Sequence, residues 1–97
     1  MIKLEFKNAE GKKITLKQNW ISTRKMLDGL AIMEEKLNRR EYVLEVSKYI
    51  AEIMETSQDE LLDNVSSEEW DKLEDAFWAQ LMGNDISDPK EKEKEES

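Results

Sequence analysis

Neither cysteine nor histidine occurs in the 97 residues. Without cysteine there is no disulfide framework and no thiolate chemistry. Without histidine as well, the usual zinc sites and the usual proton shuttle of neutral pH are excluded. Proline is used once, at Pro89, and glycine three times, at Gly11, Gly29 and Gly83. No apolar run approaches the roughly 20 residues that span a bilayer, and Met1-Ile2-Lys3 does not open a signal peptide, so the expected compartment is the cytosol, with no membrane partner.

Charge is what the chain has in excess. Charged residues make up 39% of it, against roughly 25% in an ordinary domain, so much of the chain must be solvated surface. A chain of this length supports one modest core. The net charge of -8 is unevenly spread. Residues 1–25 set Lys3, Lys7, Lys12, Lys13, Lys17, Arg24 and Lys25 against Glu5 and Glu10, a net of +5, which leaves -13 on the remainder. That acidic body disfavours nucleic acid as a partner. Lys12, Lys13, Lys17 and Lys25 could meet phosphate, but no Gly-rich loop accompanies them and no aromatics interleave with them. They read better as lysines that keep a strand edge soluble.

Hydropathy then divides the chain into elements. Ile2, Leu4 and Phe6 alternate with polar residues, as do Ile14 and Leu16, with Asn8 to Gly11 between them; the period of two predicts a β-hairpin over residues 2–18. A lone hairpin is marginal in water, so its inner face must pack on helices or its edge must pair with another chain. Ser22 or Thr23 caps a helix over about 22–38, whose Met26, Leu30, Met33 and Leu37 form a stripe flanked by Leu27 and Ala31. Gly29, inside it, costs roughly 1 kcal/mol relative to alanine unless it permits a close approach. Asn38 and Glu41 have cap spacing before a helix over about 41–55, carrying Tyr42, Val43, Val46, Tyr49, Ile50, Ile53 and Met54. The other reading of this region is one long helix bent near residue 39.

Ser57 and Glu60 form a Ser-x-x-Glu box that starts a short helix over 58–63. The plainest signal is the second such box, Ser66 and Glu69, opening a helix over 67–82 that Gly83 can close in a left-handed conformation. Trp70, Leu73, Phe77 and Leu81 form its stripe, and Val65 is placed to staple onto Trp70. Residues 1–85 are thus expected to form a single α+β domain, mostly helical, with an N-terminal hairpin followed by three to four packed helices. Residues 86–97, ending in KEKEKEES, are expected to be a disordered charged tail.

No catalytic, cofactor or metal-binding residues emerge. Glu68, Glu69, Asp71, Glu74 and Asp75 crowd the last helix on the side away from its apolar stripe, where a solvated face explains them better than an active site. Asp59, Glu60, Asp63 and Asn64 lack the central glycine of a calcium loop. Trp78 and Met82 flank the stripe of the last helix and are the candidate partner-binding residues, since large or adaptable apolar side chains are favoured at interfaces. That patch and the hairpin edge are the expected contacts for self-association.

Taken in order, the hairpin, TRKMLDGLAIMEEKLN, YVLEVSKYIAEIM, SQDELLDNV and a closing helix ending in LMGN resemble the tail assembly chaperones of long-tailed bacteriophages and related prophages. The resemblance spans most of residues 1–84 and carries no catalytic motif. It implies a non-enzymatic protein of the host bacterial cytosol that keeps the tape measure protein soluble and recruits tail tube subunits to it. The contrasting reading is a small acidic regulatory or adaptor protein, acting as a mimic of nucleic acid.

Overall fold

The structure is a computed structural model, described over residues 1–83. It is an α+β fold, mostly helical, in which a two-stranded antiparallel hairpin is followed by four helices. The tail expected beyond residue 85 lies outside the described residues. Strands β1 (Ile2–Lys7) and β2 (Lys13–Gln18) pair with Leu4 opposite Leu16 and Phe6 opposite Ile14. The side chain of Asn8 accepts from the amides of Glu10 and Lys12, and Gly11 takes φ 81°. These local bonds fix the turn, and the turn fixes the register.

The alternation buries Ile2, Leu4 and Phe6 and puts Lys3, Glu5 and Lys7 in solvent. Their partners Ile14 and Leu16 are only half-buried, because the last helix lies along β1 and leaves β2 at the margin. On the outer face Glu5 pairs with Lys3 at 3.3 Å and Lys13 at 2.5 Å. The hairpin therefore packs on a helix, the first of the two solutions open to it.

Helices α1 (Thr23–Glu34), α2 (Arg39–Ile53), α3 (Gln58–Asn64) and α4 (Ser67–Leu81) each begin at a side-chain cap. Ser22, Ser57 and Ser66 each accept the amide three residues on, and Asn38 completes a reciprocal box with Glu41. Each cap satisfies an amide that has no partner within its helix, and is worth about 1 kcal/mol. Asn38 starts α2 at residue 39, two residues earlier than expected, and breaks the chain rather than bending it.

α1 stops at Glu34, four residues short of expectation, with Glu35 extended at φ -72°, ψ 145°. Two acids at the negative end of a helix dipole weaken its last turn, and Asn38 needs extended chain before it. Leu37 consequently falls in the connector. The end of α2 is set by Glu55 at φ 57°, which lets the Thr56 amide reach the Ala51 carbonyl; Gly83 closes α4 at φ 85°.

One core joins these elements. Trp70, Leu73, Phe77 and Leu81 of α4 meet Val46, Ile50 and Ile53 of α2, Leu61 of α3 and the inner face of β1. Each such side chain removed from water contributes roughly 1.5–3 kcal/mol before entropy is charged against it. Polar contacts lock the packing. Gln80 of α4 accepts the Lys3 amide at 2.8 Å and donates to the Lys3 carbonyl at 3.0 Å, standing where a third strand's backbone would be. Gln58 donates to the Leu44 carbonyl and to the buried Ser47 hydroxyl, tying the start of α3 to α2.

Candidate binding surface

Trp78 is not an exposed contact residue. It is 8% exposed, and its ring stacks on Tyr49 at 5.9 Å and 15° while meeting Phe77 edge-on at 5.4 Å. The cover is α1, through Gly29. A β-carbon at that position would lie 2.9 Å from Trp78 Cζ3 and 2.9 Å from two atoms of Tyr49, so only glycine lets the helix backbone settle on the stacked pair. Helical periodicity placed Trp78 on a flank but could not show that a second helix would close over it. Met82 is half-buried against the same core. Trp78 therefore gives no exposed surface to the expected patch, and Met82 gives only its half-buried edge.

Glu74 corrects a second expectation, since it is 7% exposed rather than on a solvated face. Its carboxylate accepts Trp70 Nε1 at 2.8 Å. Burial pushes its acidity toward protonation, and the Trp70 bond opposes this only in part. Tyr42 stands beside Glu74 and Trp78, and its phenol is raised first by burial and then by the Glu74 charge. Trp78 Nε1 is buried with no hydrogen-bond partner among the described residues. The ion pair of Arg39 and Asp71, at 2.5 Å, flanks this cluster in solvent. Glu74 is the one buried charged side chain among the described residues, and Arg39, Asp71 and Asp75 stand exposed around it. Among the described residues no group of three or more acids is placed to hold a metal ion.

Apolar surface lies elsewhere. Trp20, in the connector between β2 and α1, is 76% exposed. No periodicity marks it, and its only sequence signal is a tryptophan in a polar link just before a helix cap. On α1, Gly29 is the one buried residue; Lys25, Met26 and Ile32 are half-buried, while Leu27 is 55% exposed and Ala31 and Met33 are also outside. The helix is rotated from the expected stripe, because its glycine rather than its leucines faces the core.

An open groove of about 350 Å³ runs between α2, α3 and α4. Val43, Leu61, Leu62, Val65 and Trp70 line it, together with Arg39 and Ser67. Leu62 is 39% exposed there, and Val65 and Trp70, the pair expected to staple the start of α4, are both buried and both line it. Asp59, Asp63, Glu68 and Asp71 are exposed on the two helices that flank it. A second cleft, about 240 Å³, lies between β1 and α4, but Lys3, Glu5, Glu69 and Lys72 make its lining charged. Compared with protein-family models, curated proteins and solved structures, the chain matches none.

Proposed function

We propose that the protein is a non-enzymatic, stoichiometric binding protein, and that it acts as a phage tail assembly chaperone in the bacterial cytosol. The observation that carries the reading is the apolar groove between α2, α3 and α4, two of which also expose Asp59, Asp63, Glu68 and Asp71. Its chemistry suits the apolar face of a helix whose flanks are basic, the helix-in-groove mode of recognition. A tape measure protein, long and helical, exposes such faces before it is packed into a tail. The acidic body of the chaperone would keep that complex dissolved. The resemblance in element order supplies the identity of this partner and of the tail tube subunits recruited afterwards. No helix among the described residues is long and apolar enough to cross a membrane.

Co-expression tests the reading directly. The tape measure protein of the same virus or prophage should be soluble with this chain and insoluble without it, and Leu62→Glu should abolish the protection. A tape measure protein equally insoluble in both cases would remove the proposal. The acids of α3 and α4 favour a second reading, a nucleic-acid mimic that captures a basic DNA-binding protein. Titration with such a protein would support it if binding collapsed with added salt and survived Leu62→Glu.

A further inference from the structure

The outer face of α1 has the properties of a self-complementary seam. Thr23, Leu27, Leu30 and Glu34 follow one another at steps of four, three and four, with Arg24 and Ala31 beside them, and all but the half-buried Leu30 are exposed. The charges on this helix are the reverse of what a lone helix prefers. Arg24 and Lys25 occupy its first turn and Glu34 its last, with no acid at the start and no base at the end. Each therefore opposes the helix dipole. Lys25 is answered by Glu52 of α2 at 2.6 Å, but Arg24 and Glu34 form no ion pair among the described residues.

An antiparallel copy of the same helix answers both. Two α1 helices related by a two-fold axis near Gly29 set Leu27 of each against Leu30 and Ala31 of the other. Arg24 of each then lies beside Glu34 of the other, so each helix end receives from its neighbour the charge that suits its dipole. A two-fold interface must be complementary to itself, and this seam is.

The other route to a dimer is the free edge of the hairpin. The Asn8 amide bonds the Lys12 carbonyl, so the even residues of β1 face β2 and the backbone groups of Lys13, Thr15 and Lys17 point outward from β2. Two-fold pairing of that edge about Thr15 would set Lys13 opposite Lys17 of the copy, like charge against like. The edge repels its own image, whereas the helix attracts its own.

We propose that the protein forms a two-fold homodimer through antiparallel pairing of α1, sealed by Leu27 and registered by Arg24 to Glu34 contacts across the axis. A helix of twelve residues is about 18 Å long, so the interface is at the small end of the range and the dimer dissociates on dilution. The seam shares no residue with the groove assigned to the partner, and the dimer does not depend on that assignment.

Sedimentation equilibrium of the full chain across a wide concentration range tests it. The wild type should move from monomer to dimer, and Leu27→Glu, at an exposed position that leaves the fold intact, should stay monomeric. Arg24→Glu alone and Glu34→Arg alone should each weaken the dimer about tenfold, since each change acts twice across the axis. The double variant R24E/E34R should restore it. The single charge reversals also bring a helix end into accord with its dipole, so the melting point of the diluted monomer should rise while dimerisation falls; a merely structural role would move the two together. A chain that stays monomeric at the highest concentration, a dimer indifferent to Leu27→Glu, or a double variant that fails to recover would each overturn the proposal.

Discussion

Gly29 sets two physical effects against each other. In an exposed helix, alanine in place of glycine gains about 1 kcal/mol. Here the new methyl would sit 2.9 Å from two stacked aromatic rings that are themselves held from behind by Phe77, and overpacking of that kind costs about 1–3 kcal/mol. Gly29→Ala should therefore lower stability by about 1 kcal/mol, with tryptophan emission shifting to the red as α1 lifts from Trp78; denaturant midpoints and fluorescence check both. Glu74 gives a prediction of opposite sign to the usual carboxylate. Because burial raises its folded-state pKa, the folded chain takes up a proton before the unfolded chain does as pH falls. Ionised Glu74 is thus a cost at neutral pH, relieved as pH falls through its folded-state value. Glu5 and Glu52, held low by Lys13 with Lys3 and by Lys25, contribute stability that is lost as pH falls through their folded values. Glu74→Gln keeps an acceptor for Trp70 Nε1 and should be more stable than wild type at neutral pH. That advantage should vanish in acid, when wild-type Glu74 is protonated; parallel denaturation curves at the two pH values would show it.

α1 is the most lightly held of the three long helices. Its only buried residue is Gly29, whereas α2 buries six residues and α4 six. Apart from that contact it is anchored by Met26 and Ile32, half-buried against the core, by the Tyr49 hydroxyl on the Lys25 carbonyl and by the exposed Lys25–Glu52 pair. Such an element opens at a lower free energy than the rest. Its amides should exchange with deuterium well before those of α2 and α4, and Tyr49→Phe should cost about 1 kcal/mol and widen the gap. The same burial holds the Tyr49 phenol up at about 12. Above the ordinary phenol range the unfolded chain ionises first, so stability is lost as pH rises toward that value; tyrosinate absorbance follows it. What was legible in the sequence follows the same division. Strand alternation, the cap spacings of Asn38, Ser57 and Ser66, and the stripe from Trp70 to Leu81 are local or periodic, and all stand in the fold. The rotation of α1, the covering of Trp78 and the burial of Glu74 each depend on where a second element lands, which periodicity along one helix does not encode. The lining of the groove is not legible for the same reason, since Val43, Leu62 and Trp70 come from three helices.

On the scale of the molecule, besides the exposed Met1 and Trp20, the described residues leave apolar surface on the groove among α2, α3 and α4 and on the outer face of α1, which share no residues. If the first receives a partner helix and the second another copy, the two associations are separable. Leu62→Glu puts an unpaired charge into the groove and should weaken partner binding at least about tenfold while leaving the monomer–dimer equilibrium unchanged. Leu27→Glu should do the converse for a single partner helix. For a long partner carrying several such helices, the wild-type dimer engages two at once, and the second engagement is intramolecular. Leu27→Glu should then keep the affinity for an isolated helix and lose the extra affinity for the long chain. Calorimetry with one helical segment and with a multi-helix fragment of the tape measure protein distinguishes these terms. Equal losses on both ligands for both variants would mean that the two surfaces form one site, and the division of labour between groove and seam would fall.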